Sequence, residues 1–147
     1  MASYDGAVAA IQQRLRDNFT ALPVAFQNEE PPQTPWPPAD GSPFVYFEVI
    51  GTTGALRAFG TPGAQIWEYL GLIHAHVHVA INSGSALAQQ RAREIGDVFR
   101  NAQFYADTPP SRVWTHSPQT DGGGPADQYA GYWRVTATAR FEFLLQA

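Results

Sequence analysis

A chain of 147 residues suits one folded domain spanning 1–147, and a make-up of 44% hydrophobic and 15% charged residues excludes a disordered chain. A net charge of −4 with no basic run argues against a dedicated grip on nucleic-acid phosphates. The absence of cysteine excludes a disulfide framework, a thiolate zinc site and a cysteine nucleophile.

The N-terminus has no basic stretch before an apolar one, and no segment approaches the roughly 20 apolar residues of a membrane span, so synthesis in the cytoplasm without membrane contact is expected. All the basic residues are arginine, which beside abundant Ala, Gly and Pro is the mark of a GC-rich genome. Tyr4, Val8, Ile11, Leu15 and Phe19 recur at helical spacing, with Ser3 placed to cap and Asp5 where the helix dipole favours an anion. A short strand is expected within Ala21–Gln27. From Asn28 to Pro43 a loop holds Pro31, Pro32, Pro35, Pro37, Pro38 and Pro43, too many for a central strand. Trp36 within it has two readings, an aromatic laid on a neighbouring surface or part of a stiff polyproline spacer.

Phe44–Ile50 is rich in aromatic and β-branched residues and predicts a strand ending at Gly51. Gly51–Gly63 is expected to be a Gly-rich loop carrying Arg57 and Phe59. From Gln65 to Ile81 a long alternation puts Trp67, Tyr69, Ile73, Ala75, Val77, Val79 and Ile81 on one side. Ser83 or Ser85 then caps a second helix whose Ala88, Ala92, Ile95, Phe99 and Ala102 face inward. Ser111–His116 predicts a short strand, and Ser117–Asp127, with Asp121, Gly122, Gly123 and Gly124, a flexible loop that does not pack internally. In the closing strand Gly131, Trp133, Val135, Ala137, Ala139, Phe141, Phe143 and Leu145 face one way and Tyr132, Arg134, Thr136, Thr138, Arg140 and Glu142 the other. Both long strands would reach about 50 Å and must bend or project. The order helix, strands, helix, strands, without βαβ repetition, predicts an α+β fold: a mainly antiparallel sheet with two helices packed on one face.

His74, His76 and His78 invite a metal-site reading, because residues two apart on a strand share a face and imidazole is a common ligand. Neighbours lie about 6.6 Å apart along a strand, so two can meet one metal and three cannot, and Glu68 on the same face is too distant to complete a set. The plainer reading is a hydrogen-bonded polar strip, with no metal or cofactor. Asp97 and Asp107 have no spacing that marks acid and base work, and the plain reading of both is solvation. Trp67, Trp114 and Trp133 are expected as core or rim anchors. Nucleophile elbows, phosphate loops and dinucleotide fingerprints are absent, and no Lys-Ser or Lys-Thr follows the glycine run.

The helix ending near Leu22-Pro23-Val24-Ala25-Phe26, the Pro-rich loop, the strand Pro43–Val49, the Gly-rich turn, the strand Ile73–Ala80, the helix Ala86–Phe99 and the closing strand Tyr132–Phe143 occur in an order that resembles the tail terminator proteins of long-tailed bacteriophages, prophages and gene transfer agents. The resemblance runs over nearly the whole chain, although the Pro-rich insertion is longer than in that family. It implies a non-enzymatic virion protein, assembled in the host cytoplasm, that forms a homo-oligomeric ring, typically of six. The ring sits on the last ring of the tail tube protein, halts its polymerisation, offers a face to the head-tail connector, and lets DNA pass without specific binding. Candidate partner surfaces are Trp36, Arg57 with Phe59, and Asp121–Gly124. The competing readings are a neck or head completion protein and a small metal-binding enzyme built on the histidine strip.

Overall fold

The structure, a computed structural model, describes residues 2–106 and 109–147; Asp107 lies outside them. The first helix, α1 (Tyr4–Asn18), starts where the Ser3 hydroxyl accepts a hydrogen bond from the Gly6 N–H at 3.1 Å. It buries Ala7, Ile11 and Leu15 completely. Three strands follow: β1 (Val24–Phe26), β2 (Phe44–Ala58) and β3 (Ile66–Ala80). Next come α2 (Ala86–Val98), the short strands β4 (Gln103–Phe104), β5 (Arg112–Thr115), β6 (Gln119–Thr120) and β7 (Gly124–Pro125), and the closing strand β8 (Tyr132–Gln146).

The strands among the described residues form one sheet in the order β1-β2-β3-β8-β5-β4, with β6 and β7 also pairing β8 along its outer edge. All pairings are antiparallel except β1 with β2. The fold is therefore α+β, with both helices on one face, as the element order predicts. The alternation in β3 and β8 works as expected: Ile73, Ala75, Val77 and Val79 meet Ala139, Ala137, Val135 and Trp133 in register. With Ile95 from α2, Phe99 at its C-cap, and Val45 and Phe47 from β2 these residues form the buried core, against which Trp133 packs partly buried. Arg14 fastens the helices together by donating from Nε to the Val98 carbonyl at 2.9 Å. No described helix is long and apolar enough to cross a membrane.

Four expectations need correction. Gly51–Gly63 is not a loop throughout: β2 continues to Ala58, paired with β3 through register shifts at Gly51/Thr53 and Leu56/Ala58. The partner strand supplies the backbone bonds that Gly51-Thr52-Thr53-Gly54 would not command alone. Ser85 occupies the α2 N-cap position but its side chain makes no capping bond, and the Ser83 hydroxyl is turned to the Ala80 carbonyl instead. The first strand is shorter than Ala21–Gln27, because beyond Phe26 the Glu29 N–H returns to the Phe26 carbonyl and Asn28 takes a φ of 53°. The last correction is the segment 117–127, which packs along β8 through β6 and β7.

Candidate interaction surfaces

The sheet is longer than the layer that covers it. On β2 the fully buried residues end at Phe47, and from Ile50 to Ala55 every residue is exposed. The far end of the β2–β3 hairpin is braced across its strands by an Arg57–Glu68 ion pair. Beside the turn the Gln65 N–H donates to the Ala147 carbonyl at 3.1 Å, and the Ala147 N–H returns the bond at 2.9 Å, so β8 accompanies β3 to the end of the hairpin. Phe59 stands at the tip, 91% exposed. Arg57 and Phe59 are thus brought to one end of the molecule, although Arg57 sits on a strand and not in a loop.

Trp36 lies elsewhere and does an internal job. Its ring meets Phe44 edge-on at 4.6 Å. The Tyr132 hydroxyl donates to the carbonyls of Pro38 and Ser42, at 3.1 and 3.2 Å, and so ties the Pro-rich segment to β8. Of the two readings, an aromatic laid on a neighbouring surface is the one realised, and that surface belongs to the same chain.

Asp121–Gly124 also has an internal role. One Asp121 carboxylate oxygen accepts from the Gly123 N–H at 3.1 Å and from the Thr136 N–H at 3.0 Å, while the Asp121 N–H donates to the Thr136 carbonyl at 3.1 Å. Gly123 has a φ of 83°, and the Trp133 ring occupies the place where a Cβ would stand. Replacing Asp121 by alanine is expected to free this segment while sparing the core. In hydrogen exchange the Gly123 and Thr136 amides should lose about ten-fold in protection, and those of Val77 and Val135 should keep theirs.

The histidine strip faces away from the helices. His76 Nδ1 lies 2.7 Å from the Thr136 hydroxyl, and its Nε2 lies 3.4 Å from Glu48. His78 donates from Nδ1 to the His76 carbonyl at 3.0 Å and stacks on Phe44 with ring centroids 4.5 Å apart. Burial pushes the His78 imidazole down to about 4. Burial lowers His76 as well, against the pull of the Glu48 carboxylate. The rings are committed to protein partners, and among the described residues no group of three or more His, Asp and Glu side chains is disposed to hold a metal. Asp97 is bound to Arg100 at 3.1 Å.

Two surfaces escaped the sequence reading. On the open face of the sheet Thr52, Leu70, Leu72, His116, Thr138 and Arg140 line a concavity of about 840 Å³, and Ile50 stands next to it as the cross-strand neighbour of Leu72. The strands that carry these residues were legible, but the register that sets Ile50, Leu72 and Arg140 side by side is not written in any one of them. A groove of about 520 Å³ runs between α2 and β6, with Gln90, Arg93, Arg100 and Gln119 on its walls. It exists because segment 117–127 packs, which its composition hides.

No family model matches the chain, and no curated protein does. A solved structure that carries no functional name is similar to it over 97% of this chain and 96% of that one, with a TM-score of 0.68 at 22% identity. Likeness at that level shows the fold, shared from end to end.

Proposed function

We propose that this chain is a structural virion subunit that closes into a ring on the end of a phage-type tail tube, ends tube growth and presents its opposite face to the head-tail connector. The observation that carries the reading is the bare end of the sheet, where a braced hairpin holds Phe59 at 91% exposure. A large aromatic in that position contributes nothing to the core and is the kind of anchor that dominates protein interfaces. The element order and its resemblance to tail terminators supply the rest. The subunit works by shape: a growing tube presents the same addition surface after each ring, and a different subunit must occupy it without reproducing it. No bond is made or broken and no cofactor takes part. With −4 on each subunit, the lumen of the ring repels DNA and lets it slide.

Deleting the gene is expected to give tails of uncontrolled length and filled heads without tails, seen by electron microscopy of lysates. Normal tails joined to heads would refute the proposal, and detached tails of normal length would move the chain to a neck role. The Phe59→Asp variant should reproduce the defect while its unfolding midpoint stays within about 0.5 kcal/mol of the parent, as an exposed site allows.

A further inference from the structure

The groove between α2 and β6 has an apolar floor of Ala92, Gly96 and Pro118 and a rim of side-chain amides and guanidinium groups. Arg93 is exposed and, among the described residues, forms no salt bridge. Guanidinium groups bind carboxylates, and Gln side chains satisfy the N–H and C=O groups of a chain that has no regular structure of its own. This chemistry fits an acidic, irregular stretch of polypeptide.

The molecule carries such a stretch. Residues 28–35 are exposed throughout, lie outside any strand or helix, and contain Glu29 and Glu30 followed by Pro31 and Pro32. Glu29 is bound to Arg16, whereas Glu30, among the described residues, forms no salt bridge. The prolines limit the freedom lost when the stretch is fixed against a surface. It follows β1 at one flank of the sheet, while the groove lies at the opposite flank, where β6 pairs the side of β8 turned away from β3. One chain cannot bring the two together, but neighbours related by rotation can, and a contact between unlike flanks is the kind that generates rings.

We infer that the α2–β6 groove receives the Glu29–Gln33 stretch of an adjacent copy of this chain, with Glu30 set against Arg93. The inference rests on the ring reading above and gives the subunits their order, head to tail.

The chain has no cysteine, so single cysteines report contacts cleanly. Glu30→Cys and Gln119→Cys chains, mixed and oxidised, should give a mixed covalent dimer, and the Glu30→Cys and Asp5→Cys control pair should not. Arg93→Glu should weaken self-association in sedimentation about ten-fold. Adding Glu30→Arg to the same chain should recover it. If the parent assembles but the pair fails to cross-link above the control, or Arg93→Glu leaves association unchanged, the docking inference is overturned and the ring reading stands. A parent chain that sediments as a monomer at every concentration, with no mixed cross-link, overturns both.

Discussion

Substituting valine for Gly71 is expected to lower the stability of the folded chain by about 3 kcal/mol or more, the largest single-site loss we foresee outside the aliphatic core. Gly71 sits at the middle of β3, directly opposite Gly51 on one side and Phe141 on the other. The Phe141 ring lies across it, and the Ile50 carbonyl closes the remaining space, so a Cβ meets both an aromatic edge and backbone. Phe141 is itself 1% exposed and has nowhere to retreat. Chemical denaturation of Gly71→Val, Phe141→Leu and the double variant measures the coupling. The double variant should lose less than the sum of the two, since the smaller side chain makes room for the added one. Losses that simply add would show that the ring and the glycine do not share this space.

The second large effect is one of pH. His78 is 2% exposed, beneath Phe44 and beside Tyr129 and Tyr132. Burial is the main cause of its fall from 6.5 to about 4, and the nearby Arg134 and His76 charges push the same way. A depressed histidine value means that the unfolded chain takes up the proton first. Stability is therefore full above pH 6.5, declines as the pH falls through the interval to 4, and levels off below it, with a total of at most about 3 kcal/mol from this residue. In a His78→Phe variant, unfolding midpoints measured from pH 7.5 to 4 should fall less steeply than in the parent. Equal slopes would show that His78 does not govern the acid response. His76 adds to the decline in the same direction, offset in part by Glu48.

These effects arise from parts of the fold that were unequally legible in the sequence. The cores of β3 and β8 could be read because their inward residues are almost all apolar and their alternation is unbroken for ten residues or more. The outer half of β2 was hidden, since Gly51 and Gly54 carry a turn signal that masks the strand preference of Thr52 and Thr53, and only pairing with β3 makes a strand of them. Segment 117–127 was hidden for a different reason: its order comes from one carboxylate, Asp121, reaching two backbone amides, and linear sequence does not reveal such a reach. Of the candidate surface residues, Phe59 emerged in the open, and Trp36 and the Asp121–Gly124 run turned out to serve the chain's own packing. The histidine strip was legible as a polar strip on one face, but its partners, Thr136 and Glu48 for His76 and the His76 carbonyl for His78, come from neighbouring strands and from the backbone and could not be read from spacing.

The free flank of β2 has a bearing on how the isolated subunit behaves. Beyond Val49, whose N–H is taken by the Gln27 side-chain oxygen at 2.8 Å, this strand offers its outer N–H and C=O groups to any passing chain, and a flank of that length ordinarily invites stacking into fibrils. Here the irregularities at Gly51/Thr53 and Leu56/Ala58 break the even spacing of those groups. A stray strand finds matching donors and acceptors for only a few residues before falling out of step. The bare end of the sheet can therefore stay open to solvent and still refuse promiscuous strand partners.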